Sequence, residues 1–204
     1  MKRICVFCGS SPGADPEYVL AARRLGRALA ARGLTLVFGG ARVGIMGQLA
    51  RAALEAGGEV IGVIPRQLVE MEVAYAALPE LRVVESMHER KALMAELADG
   101  FIALPGGLGT VEEFFEVLTW AQLEIHRKPC GLLDTRGYYR KLMEFLGHAV
   151  EEKFIEPVHR EMIQIDESPA GLLDKFRDYR APRVNKAAWI RKLTDEISPS
   201  LDVP

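Results

Sequence analysis

Long apolar runs are missing from this chain: nowhere do the roughly 20 consecutive apolar residues of a bilayer-spanning helix occur. The opening MKRICVFCGSS is short in its apolar part and reaches turn residues too soon for a secretory leader. The expected compartment is therefore the cytoplasm, with no membrane partner. A surplus of one charge is missing too. With 26 basic and 28 acidic residues the formal net charge is -2, which gives no global attraction to nucleic acid. Cysteine is scarce, and Cys5, Cys8 and Cys130 do not make a disulfide framework. Cys5 and Cys8 form a C-x-x-C, but RICVFCGS reads as a strand, on which residues three apart face opposite sides. A redox pair would sit at a helix start instead. Neither His88 nor Cys130 has metal-ligand company at a recognised spacing, so no metal is expected.

What the chain does have is alternation. Short apolar, β-branched runs at Ile4–Cys8, Leu34–Phe38, Val60–Ile64, Leu81–Val84, Phe101–Leu104, Gly131–Leu133 and Ile163–Asp166 read as strands. Between them, helical patterns run near Pro16–Arg32, Met46–Ala56, Met87–Leu97, Val111–His126, Tyr138–Glu152 and Ala170–Arg180. Strands apolar at consecutive positions and joined by helices predict a doubly wound, Rossmann-like α/β domain. Its sheet is mostly parallel with helices on both faces, and ligands bind at the carboxyl ends of the strands. Residues 1–180 are expected to form that single domain. Residues 181–204 are expected to be an appendage, with a short docked helix over Lys186–Ile197 and a frayed end. The stretch VEEFFEVLTWAQLEIHR is apolar on more than one face, beyond what covering a sheet requires, which favours a subunit interface there.

Three strand ends carry loops of glycine and small residues: Gly9-Ser10-Ser11, Gly39-Gly40-Ala41-Arg42-Val43-Gly44 and Pro105-Gly106-Gly107-Leu108-Gly109-Thr110. At one edge of one sheet they would bring backbone N–H groups close to a ligand, an arrangement suited to phosphate. Gly39–Gly47 lacks the Lys-Ser/Thr of a P-loop, and Glu112 stands where a dinucleotide fingerprint needs its third glycine. No nicotinamide, flavin or other cofactor is expected. Thr110 and Glu113 fit a capping box, with Glu112 a mere helix-start charge beside them. Yet a carboxylate near a bound anion costs energy unless something there is, or becomes, cationic. Ser86 and Glu89 make a second capping box, which places Arg90 and Lys91 at the ligand edge, where Arg can bind an anion bidentately.

P-G-G-x-G-T-x-x-E from Pro105 to Glu113, together with M-x-x-R-K from Met87 to Lys91, resembles the Lonely Guy family. These are cytokinin riboside 5′-monophosphate phosphoribohydrolases, often labelled "possible lysine decarboxylase" in bacteria. The similarity covers most of residues 4–165, and Ala41 stands where many relatives carry a third glycine. The resemblance implies hydrolysis of the N-glycosidic bond of a nucleoside 5′-monophosphate, releasing base and ribose 5-phosphate. It implies Arg90 and Glu113 as the catalytic pair and Gly107, Gly109 and Thr110 as phosphate holders, with Lys91, Glu72 and Thr119 as further substrate contacts. Gly9 and Ser10 join the expected substrate-binding set from the first glycine loop. A homodimer through the helix region 111–126 is implied as well. The alternative on the same fold is a non-catalytic nucleotide or cofactor carrier. Lysine decarboxylation is disfavoured, since the S-x-H-K motif of such enzymes is broken by Glu89 after His88.

Overall fold

The computed structural model describes residues 1–71, 74–183, 189–191 and 193–195. Seven strands form one sheet: β1 (Arg3–Phe7), β2 (Thr35–Phe38), β3 (Val60–Pro65), β4 (Glu80–Val84), β5 (Gly100–Ala103), β6 (Cys130–Leu133) and β7 (Ile163–Asp166). Their spatial order is β4-β3-β2-β1-β5-β6-β7, and every pairing is parallel. The helices are α1 (Pro16–Ala31), α2 (Gly44–Glu55), α3 (Arg66–Glu70), α4 (Met87–Leu97), α5 (Leu108–Gln122), α6 (Arg140–Glu151), α7 (Pro157–Glu161) and α8 (Pro169–Asp178). Strands β2, β3, β5 and β6 are buried along their whole length, which is why their sequences are apolar without alternation. The edge strands β4 and β7 are only partly covered.

Burial on both faces divides the core in two. On one side Leu25 and Leu29 of α1, Leu49 of α2 and Phe176 of α8 pack on Ile4, Leu36 and Ile102. On the other, Met94 of α4, Phe114 of α5 and Leu146 of α6 pack on Cys5, Val37 and Phe101. Cys8 belongs to the first layer and Cys5 to the second, so the C-x-x-C sulfurs diverge across the sheet as strand geometry requires. Burial pushes all three thiols up, to about 12 for Cys130, so they are not nucleophiles.

The seven expected strands and six long helices are all present, with shifted ends. Helix α2 starts two residues before Met46, and α5 runs from 108 to 122 rather than from 111 to 126. Helices α3 and α7 were not foreseen; five residues are too few to show a helical period. In the tail, residues 189–191 and 193–195 are helical, while the rest of the expected Lys186–Ile197 helix and the frayed end lie outside the described residues. No described helix is long and apolar enough to cross a membrane.

The strand order fixes where a ligand can sit. From β1 the chain winds outward through β2, β3 and β4, then crosses back to lay β5 on the other side of β1. Neighbouring strands whose onward connections diverge leave a crevice at their carboxyl ends. Here that crevice lies between the loop after β1 and the loop after β5.

Candidate active site

A cavity of about 350 Å³ opens at this switch point. Gly9 and Ser10 after β1, Gly39 after β2, Arg90 and Lys91 of α4, and Gly107–Thr110, Glu112 and Glu113 at the start of α5 contribute to its walls. Met46, Met87 and Met94 add a flexible apolar side. Nothing in the sequence marks these methionines as a set, because they come from two helices far apart in the chain.

Ser86 starts α4 as expected: its Oγ accepts the Glu89 N–H at 3.1 Å. The reciprocal arm lands one residue earlier than a capping box would have it, with Glu89 Oε2 accepting from Glu85 N–H at 2.9 Å. Arg90, one turn in, is buried at 8% exposure. Its Nε donates to the Val63 carbonyl of β3 at 3.2 Å, and its Nη1 lies 3.2 Å from Met87 Sδ. Gly39 makes room for this side chain, since a Cβ there would stand 1.9 Å from Arg90 Nη2.

The expected capping box at Thr110 and Glu113 does not form. Helix α5 begins three residues earlier, with Gly107 as a cap that offers no side chain. Thr110 thus lies in the first turn, buried, and its Oγ1 packs against Gly106. A serviceable side-chain cap would have consumed a first-turn donor. Without it the amides of Leu108, Gly109 and Thr110 have no intrahelical acceptor. Nothing stands within 4 Å of a Cβ built at Gly107 or Gly109, so packing inside the chain gives no reason for glycine at either position.

Glu113 turns instead to Arg90, with Oε1 3.5 Å from Nη1 and both side chains nearly covered. This is ion-pair range but beyond a good hydrogen bond. Burial pushes the Glu113 carboxyl up; Arg90 pulls it down, and Glu112 adds to the rise. Lys91 is held between Glu112 Oε1 at 2.6 Å and Glu116 Oε1 at 3.0 Å, and the hydrogen bond it donates to Glu112 raises its pKa against the effect of burial. Glu112 is therefore no idle helix-start charge: it closes on Lys91 and lines the cavity.

Of the residues expected at the site, Arg90, Glu113, Lys91, Gly107, Gly109, Thr110, Gly9 and Ser10 converge on this one cavity. Thr119 does not. It is exposed on α5, nine residues and about 13 Å of helix rise beyond Thr110. Glu72 lies outside the described residues. Among the described residues no group of three His, Cys, Asp or Glu side chains could hold a metal ion.

The sheet thus carries free helix-start amides and a buried Arg–Glu pair at its switch point, the place where open parallel α/β sheets take their ligands. Residues 46–176 match the family model described as "Possible lysine decarboxylase", and the chain belongs to that family, the Lonely Guy group. It is 52% identical over 177 residues to a cytokinin riboside 5′-monophosphate phosphoribohydrolase of Rhodococcoides fascians, covering 86% of this chain and 89% of that protein. An Arabidopsis thaliana protein of the same name is 50% identical over 187 residues, covering 92% and 87%. Among solved structures, the molybdenum cofactor binding protein of Rippkaea orientalis superposes with a TM-score of 0.66 at 23% identity, covering 87% of this chain and 97% of that one. The molybdenum cofactor carrier protein of Chlamydomonas reinhardtii matches at 0.66 and 22%, covering 87% and 96%. At these identities the structural likeness is one of fold.

Proposed function

We propose that this chain hydrolyses the N-glycosidic bond of a nucleoside 5′-monophosphate, AMP or a cytokinin riboside monophosphate, to free base and ribose 5-phosphate. The observation that carries the reading is the buried Arg90–Glu113 pair, which opens on the same cavity as the free first-turn amides of α5. The amides of Leu108, Gly109 and Thr110 hold the 5′-phosphate, with Thr110 Oγ1 beside them. The bare Gly107 and Gly109 let the phosphate approach the backbone. Gly9 and Ser10 close the other side of the loop. A cavity of this size suits a nucleotide-scale ligand.

In the reaction the bond from the anomeric carbon to the base nitrogen breaks, and its electrons leave with the base. Positive charge develops on the ribose. The Glu113 carboxylate faces that charge and accepts a proton from the water that forms the new bond to the anomeric carbon. The departing base nitrogen takes up a proton in turn, so charge is conserved overall. Arg90 fixes the substrate and stabilises the negative charge that leaves with the base. Lys91 supplies a further cation, steadied by Glu112 and Glu116 until substrate arrives. The decarboxylase description fits the site poorly. An aldimine needs a neutral lysine, and Lys91, the candidate, is held as a cation by two carboxylates.

The same reading includes a homodimer through residues 111–126. Leu108, Phe115 and Thr119 of α5, with Leu123 just past its end, form an open or half-open stripe at helical spacing, and Ile125 beyond is 67% exposed. On that face Thr119 meets substrate only across a subunit boundary. Glu72 keeps its place as a substrate contact on the family pattern alone. Three buried free thiols suit a reducing compartment, the cytoplasm. Incubation with AMP and with isopentenyladenosine monophosphate, followed by assay of free base, tests the activity. Binding of either nucleotide without release of base would return the carrier reading.

A further inference from the structure

The phosphate loop has an anchoring problem. Between Leu104 and Gly107 every peptide carries a carbonyl oxygen, and a carbonyl aimed into the cavity would repel the anion the amides attract. Gly106 and Gly107 have no side chains to keep those peptides from rotating. The structure ties down all four oxygens. Gly9 N–H donates to Pro105 O at 3.3 Å, and Val111 N–H donates to Gly107 O at 3.2 Å. The other two are taken by adjacent tyrosines: Tyr139 Oη donates to Leu104 O at 2.6 Å, and Tyr138 Oη donates to Gly106 O at 2.6 Å.

The tyrosines are themselves held. They follow a tight turn after β6, in which Asp134 Oδ1 accepts the Tyr139 N–H at 2.7 Å. Tyr139 is buried at 2% exposure, and burial pushes its phenol up, so the hydroxyl stays a donor. The Tyr138 ring meets Tyr139 edge-on at 5.0 Å and Tyr18 at 5.7 Å. Tyr138 does not line the cavity. Its hydroxyl bonds the loop at the Gly106 carbonyl.

We infer that Tyr138 is a positioning residue for phosphate: its hydroxyl locks the Gly106 carbonyl outward, so that the loop presents amides and no lone pairs to the 5′-phosphate. Tyr139 does the same for Leu104 at the strand end. This rests on the proposed function in one respect, that the loop holds a phosphate.

The test compares the parent chain with Tyr138→Phe and with 4-aminophenylalanine in place of Tyr138. Removing the hydroxyl keeps both ring contacts; the amino group restores a donor. By calorimetry Tyr138→Phe is expected to weaken ribose 5-phosphate binding about ten-fold, with a melting temperature close to the parent's. The amino-substituted chain is expected to recover most of that affinity. In turnover assays the KM for the nucleotide should rise while kcat holds. Equal affinity in parent and Tyr138→Phe overturns the proposal, as does a loss the amino group fails to restore. A parent that binds ribose 5-phosphate but frees no base removes hydrolysis and leaves the anchoring testable. A parent that frees base but binds no ribose 5-phosphate overturns the anchoring and leaves hydrolysis standing.

Discussion

The Glu113 carboxyl lies between two opposed influences, and burial outweighs the neighbouring Arg90 cation. Its pKa in the folded chain is therefore above that in the unfolded chain. At low pH both states hold the proton and the residue changes nothing. As pH rises, the unfolded chain releases its proton first, so stability falls until the folded carboxyl ionises as well. Glu113→Gln should thus melt higher than the parent at neutral pH, with the gap closing in acid. Calorimetric scans across pH check this, and a variant less stable at neutral pH would show that pairing with Arg90 dominates instead. The same shift places the acid limb of kcat/KM above the ordinary carboxylate range, since the base must be ionised to act. In Glu113→Gln that limb disappears, and turnover drops by about a hundred-fold or more. The motif marked Glu113 in the sequence as one of a catalytic pair, while the capping box it also fits with Thr110 does not form. The fault lay with Gly107, which begins the helix without a side chain and leaves Thr110 in the first turn.

At the scale of elements, two glycines separate activity from stability. A methyl group at Gly39 would sit 1.9 Å from Arg90 Nη2, the far end of a long side chain that can swing aside. Gly39→Ala is expected to lower kcat/KM at least about ten-fold, because a 1 Å misplacement at such a site costs that much or more, with a small change in melting temperature. At Gly26 the obstacle is backbone: Cβ would stand 2.5 Å from the Leu49 carbonyl where α1 crosses α2. Gly26→Ala should cost about 1–3 kcal/mol by overpacking, read from chemical denaturation, with turnover per folded molecule unchanged. The reverse pattern in either variant would contradict these assignments. Elements of this kind were the most legible part of the sequence. Fully buried strands such as Val60–Pro65 announce themselves by unbroken apolar runs, whereas Arg66–Glu70 and Pro157–Glu161 are too short for any period to register.

For the whole molecule, the deciding feature is topology, and topology is not written in any local pattern. The glycine loops after β1 and β5 are nearly a hundred residues apart, and only the strand order makes them opposite walls of one crevice. The same crossing brings Arg90 of α4 against Glu113 of α5. The family resemblance named that pair without saying that they touch. Assembly belongs to this scale too. If the open stripe of α5 is an interface, light scattering should return twice the chain mass, and Leu123→Glu should reduce it. A monomer at working concentration would remove the interface and with it the contact proposed for Thr119. The most direct measurement remains chemical: the purified chain is incubated with AMP and with isopentenyladenosine monophosphate, and base and ribose 5-phosphate are quantified together. Equal amounts of base and ribose 5-phosphate, lost in Glu113→Gln, are predicted; nucleotide that binds the parent chain and is recovered intact would contradict the account.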